Sequence, residues 1–147
     1  MTMTGLEAVD TTVHKTNEWL HGIGRSLGGA KPQTAYRVLR AVLHALRDRL
    51  TVDDAAAFGA QLPMLVRGIY YEGWHPRGKP LKIRHADEFL AHVRTELTEN
   101  LHPDVAVRAV FAEFERHLDP GEIDKVMRLL PKELAALGQP EPEPRDS

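Results

Sequence analysis

The chain has no cysteine, only two serines (Ser26 and Ser147) and few aromatic residues, 4 Phe, 3 Tyr and 2 Trp in 147. Without cysteine there is no disulfide framework, no thiolate metal site and no cysteine nucleophile, and the composition suits a reducing compartment. Neither serine sits in a Gly-x-Ser-x-Gly elbow. There is no GxxxxGK[ST] loop and no strand-linked GxGxxG; the stretch GGAKP (28–32) reads as a helix stop followed by a helix start. No apolar run approaches the roughly 20 residues of a membrane span. The opening MTMTGLEAVD has neither the basic nor the apolar region of a secretory leader. Net charge is −2 and the pI about 6.4, so the whole molecule carries no field to gather nucleic acid or anionic lipid. These absences lead us to expect a cytoplasmic protein without a membrane partner.

Helical periodicity fills most of the chain. Val13, Thr16, Leu20, Ile23 and Leu27 step by three and four and predict one helix face ending at Gly28-Gly29. Pro32 is placed to open a second helix, on which Val38, Leu39, Val42, Leu43, Leu46 and Leu50 form a broad apolar face. Thr51 with Asp54 reads as the capped start of a third helix. That helix must break near Leu62-Pro63, and Pro63 reads as the first residue of a short fourth helix ending near Tyr70 or Tyr71.

The second half echoes the first. Residues 40–68 align without a gap on 108–136, with Arg40, Ala41, Val42, Leu50, Leu62 and Pro63 recurring as Arg108, Ala109, Val110, Leu118, Leu130 and Pro131. The capped start recurs as Asp119 with Glu122, now with Pro120 at the first helical position. Upstream, EWLHGIGRSL (18–27) faces EFLAHVRTEL (88–97). The identities fall on the apolar face and at the Leu-Pro break, where a repeated helical unit needs them. The expectation is all-α, a helical bundle of two tandem copies of a roughly fifty-residue multi-helix unit. A unit of that size is marginal alone, so the copies should share a core. Repeat one would span about 12–71, a connector about 72–86 and repeat two about 87–138, as a single domain over 1–138. The acidic, proline-rich tail 139–147 reads as disordered.

The strings TNEWL (16–20), LRAVLHALRDRL (39–50), AQLPMLVRGIYYEGW (60–74) and EFL (88–90) resemble a bacterial family catalogued as domain of unknown function 2267. The resemblance runs from about Thr12 to Gly138. It implies an all-helical fold and bacterial origin, and it brings no catalytic or ligand-binding residue.

Eight histidines raise the question of a metal or acid–base site. His44 and Asp48 are four apart on the second helix, as are Glu113 and His117 on its counterpart. Such pairs share a helix side, but a metal needs three or four converging ligands and no HExxH or clustered pattern supplies them. We therefore read both pairs as solvated helix-face residues or local ion pairs, with no catalytic residue, cofactor or metal assigned. Arg37, Arg40, His44 and Arg47 form a stripe about 80° wide beside the apolar face. It suits phosphate contact or, more simply, cover for the core edge.

The densest signal begins at RGIYYEGWHP (67–76) and runs on to His85. Across residues 67–85, Arg67, Arg77, Lys79, Lys82 and Arg84 stand against Glu72 alone, five bases less one acid, or +4. They interleave with Tyr70, Tyr71 and Trp74, which would serve equally as anchors of a crossover between the halves or as binding groups. The corresponding end of the second half has no aromatic residue, so a single unit does not require them. The leading expectation is a non-enzymatic protein-interaction module docking through residues 67–85, with Arg37, Arg40 and Arg47 as an extension of the surface. Nucleic acid or another anionic ligand on the same patch is the alternative. A third reading, an enzyme or metal protein, requires several histidines to converge in one pocket. A leftover apolar face would also permit a homodimer.

Overall fold

In the computed structural model, which describes residues 4–98, 100–130 and 132–137, every regular element among the described residues is a helix. The order is α1 (Glu7–Ser26), α2 (Pro32–Arg49), α3 (Val52–Gly59), α4 (Met64–Tyr71), α5 (Ala86–Arg94), α6 (Pro103–His117), α7 (Pro120–Leu129) and α8 (Lys132–Ala136). The expected tail, Gly138 and Pro131 lie outside the described residues.

Local chemistry sets the boundaries. After α1 the chain turns through Gly28 and Gly29 at φ +83° and +98°, and the Gly29 and Ala30 amides donate to the Gly24 carbonyl. Left-handed backbone of this kind is open to glycine at no steric cost. Pro32 opens α2. The Thr51 hydroxyl accepts from the Asp54 amide at 3.1 Å to cap α3. Two local expectations need correction. Asp119 stands at the N-cap of α7 but its side chain makes no capping bond. Pro63 is the N-cap of α4 rather than its first residue. Proline has no side-chain acceptor, and the missing cap comes from α1, where the Thr12 hydroxyl accepts from the Leu65 amide at 2.9 Å.

The core lies where α2 and α6 pack on each other, and α1 and α5 each pack on both. Helix α4 lies against α1 and α2, and α8 against α5. The buried face of α1 is centred on Trp19, with Thr12, Thr16 and Ile23, while Val13, Leu20 and Leu27 are only half-buried. A file of rings threads the interior: Trp19 edge-on to Phe114 at 6.0 Å, Phe114 to Phe58 at 5.3 Å, and Phe58 to Tyr70 at 5.7 Å. Four helices, α1, α6, α3 and α4, are thereby joined through edge-to-face contacts of the favourable kind. Three helix boundaries keep the 68-residue offset of the sequence alignment, while the ends of α3 and α7 and the starts of α2 and α6 do not. Helices α2 and α6 end at Arg49 and His117, α3 and α7 begin at Val52 and Pro120, and α4 and α8 begin at Met64 and Lys132.

Candidate functional site

The arginine stripe of α2 divides in two. Arg47 is buried, 5% exposed, which removes it from any docking surface. Its guanidinium donates to the Tyr70 and Glu72 carbonyls at 2.7 and 2.6 Å and to Asp48 at 3.1 Å. The carbonyls at the C-terminus of a helix lack intrahelical donors, and a guanidinium answers several at once. His44, also buried, adds a bond from Nε2 to the Ile69 carbonyl at 2.8 Å, while its Nδ1 meets the Glu96 carboxylate at 2.9 Å. Arg40 is spread between Glu72 at 3.5 Å and Glu96 at 3.6 Å. Of the stripe, Arg37 alone stands exposed without a bond to the described residues. The sequence read His44 and Asp48 as solvated helix-face residues or local ion pairs; they are paired but buried, in a polar seam joining α2 to the end of α4 and to α5. There Asp48 also meets His92 at 3.2 Å. Burial alone would raise the Asp48 pKa. The hydrogen bonds from His92 and Arg47, with the charges of Arg47 and Lys79, outweigh that and hold it below the usual carboxylate value.

The aromatic residues of the connector point mainly inward. Tyr70 is fully buried, so it too leaves the predicted surface. Its hydroxyl donates to the Ala55 carbonyl at 2.9 Å, and burial pushes its pKa far up. Tyr71 stacks on Tyr70 at 5.0 Å and Trp74 leans on Tyr71 at 5.4 Å, so the interior file of rings continues outward into the connector. Both are half-buried. The Tyr71 hydroxyl end fills the space a Cβ on Gly59 would need. Arg67 is a structural residue as well, donating to the carbonyl of Gly59 at the end of α3 at 3.0 Å and to that of Leu62 beyond it at 2.9 Å.

The rest of the predicted surface is outward. Arg77, Lys82 and Arg84 are exposed and Lys79 is half-buried near Asp48. The segment is fastened beneath them by buried Ile83, by the Leu81 amide donating to the Asp48 carbonyl at 2.8 Å, and by His85 against Glu133 of α8 at 3.0 Å. The hydrogen bond and charge of Glu133 raise the His85 pKa.

A second cluster is built on Glu113 and His117, the pair read from the sequence as solvated helix-face residues or a local ion pair; they do pair, but Glu113 is buried rather than solvated. Glu113 is fully buried between α6 and α1, and its carboxylate is bound by Arg116 and by His117 Nε2 at 2.7 Å. His117 in turn lies flat on Trp19, 5.0 Å between ring centres. The carboxylate occupies the space beside Gly22 where any other residue would place its Cβ. Over this cluster opens a cavity of about 460 Å³ whose lining includes His14, His21 and His117. Three histidines thus converge on one pocket, although no group of three His, Asp or Glu among the described residues could hold a metal ion. The available signal was Glu113 itself. In the repeat alignment it takes the place of Ala45, a core position.

Fold and site together define an all-helical bundle with a braced basic connector, and no helix among the described residues is long and apolar enough to cross a membrane. Over residues 16–137 the sequence matches the model of a family described as uncharacterized conserved protein (DUF2267), and the chain belongs to that family. No curated protein matches it.

Proposed function

We propose that the chain is a small non-enzymatic interaction module of the bacterial cytoplasm that docks an acidic protein partner on the outer face of its connector. The carrying observation is that Arg77, Lys82 and Arg84 are exposed and make no hydrogen bond or ion pair among the described residues. No carboxylate interrupts the segment from Gly73 to His85. Of the other cations of the predicted patch, Arg40, Arg47 and Arg67 are engaged by carboxylates and helix-end carbonyls. A loop held from beneath by Trp74 and Ile83 loses little entropy on binding, so its charges can act as a prearranged surface. Duplication of a roughly fifty-residue unit belongs to the same reading, and the shared offset of helix boundaries supports it.

Nucleic acid is the weaker reading. A single-strand platform needs free ring faces, whereas Tyr70 is buried and Tyr71 lies between Tyr70 and Trp74. The test is retention from a nuclease-treated lysate of the source organism on immobilised protein, comparing the unaltered chain with Arg77→Glu/Lys82→Glu/Arg84→Glu. The proposal expects a discrete protein that the triple variant loses. Material retained only when the nuclease treatment is omitted, and that falls away by orders of magnitude between about 50 and 200 mM salt, would indicate phosphate contacts instead.

A further inference from the structure

The cavity between α1 and α6 has its acidic groups already occupied and its donors left over. Both Glu113 oxygens are engaged, one by Arg116 and one by His117, and Glu18 is paired with His14 at 3.0 Å. Asn17, His21 and Arg25 line the same cavity, and their side chains make no hydrogen bond or ion pair among the described residues. Arg116, whose side chain is half-exposed, commits one nitrogen to Glu113 and keeps the rest of its fork.

Two guanidinium groups with an amide and an imidazole exceed what a single carboxylate would use. They suit a dianionic group with three peripheral oxygens, which planar arginine forks bind through paired hydrogen bonds. Glu113 is 1% exposed and fixed against Gly22. It therefore acts as a rigid post that orients Arg116 and His117 from behind, a role that a buried, fully bonded carboxylate can fill. A volume of about 460 Å³ lies within the usual range for small-molecule sites and is larger than a phosphate alone requires. Every lining residue carries its polar group on a carbon stem, so the remainder of the ligand meets carbon as well as hydrogen-bonding atoms.

We infer that this cavity binds the phosphate monoester of a small organic molecule, with Arg25 and Arg116 on the phosphate, His21 and Asn17 beside it, and Glu113 as the positioning residue.

The test is titration of the full chain with glucose 6-phosphate, inorganic phosphate and glucose at constant ionic strength. Binding is followed by the imidazole resonances of His21 and His117 and by Trp19 emission in a Trp74→Phe background. The expected result is saturable shifts with glucose 6-phosphate at millimolar concentration or below, and none with glucose. Arg25→Gln, which alters an exposed side chain and leaves the fold intact, should weaken binding about tenfold, as loss of one charge-assisted contact does. Arg116→Gln should weaken it at least as much. Absence of any shift, or shifts that Arg25→Gln leaves unchanged, would overturn the site. Inorganic phosphate binding as tightly as the sugar phosphate would overturn the organic part of the ligand.

Discussion

The Glu113 carboxylate rests on Gly22, in the space where every other amino acid carries its Cβ. An α6 residue is thus admitted to the α1 interface only because α1 offers bare backbone there, and the same contact holds Glu113 to Arg116 and His117. In an ordinary helix interior, Gly→Ala stabilises by about 0.5–1 kcal/mol. Here the sign should reverse. Gly22→Ala is expected to cost about 1–3 kcal/mol through overpacking, while Gly68→Ala on α4, where an added Cβ meets nothing within 4 Å, should stabilise. Denaturant melts of both variants check the pair, and a stabilised Gly22→Ala would refute the packing.

Arg47 closes the end of α4 from inside the seam. Arg47→Met removes the donor to the Tyr70 and Glu72 carbonyls and strips Asp48 of its nearest cation. Loss of one member of a buried pair predicts destabilisation on the order of 3 kcal/mol. Arg37→Ala on the same helix, exposed and unbonded, should stay within about 0.5 kcal/mol of the unaltered chain. Thermal or denaturant melts of the two variants side by side check the contrast.

Acid should find Asp48. Its pKa lies below the ordinary 3.8 in the folded chain, so the unfolded chain binds more protons there and stability rises with pH through that window. The contribution is complete above the unfolded value and disappears as pH falls through the folded one. Asp48→Asn should therefore be less stable than the unaltered chain at neutral pH, with the gap closing below about pH 4. A gap that stays constant from neutral pH down to about pH 3 would contradict the assignment.

Much of the architecture was legible because it depends on spacing. The apolar steps of α2, the Gly28-Gly29 stop, Pro32 and the Thr51 cap are all local signals. What the sequence could not display is where a long polar side chain ends. Arg47 and Arg37 look alike on a helical wheel, yet one reaches the α4 carbonyls and the other reaches water. That distinction depends on how far α4 lies from α2, a tertiary distance with no periodic signature. Glu113 is the opposite case. A carboxylate where the first half has Ala45 was visible, but its significance required Gly22, on a helix far away in sequence, to be facing it.

Trp74 occupies the outer end of the ring file, half-buried, with its indole nitrogen enclosed and without a hydrogen-bond partner among the described residues. In a Trp19→Phe variant, iodide should quench the remaining emission partly, less than free indole and more than a core tryptophan. Full protection would make the connector an internal plug, and full quenching would detach it from Tyr71.

The most direct measurement of the docking claim uses the absence of native thiols. Lys82→Cys gives a single site for a maleimide photo-crosslinker on the outer face of the connector, and Glu115→Cys gives an exposed control on α6. Irradiated in nuclease-treated lysate of the source organism, the position 82 probe should capture a discrete acidic protein that the position 115 probe does not. Identical adducts from both positions, or none from position 82, would contradict a docking surface on the connector.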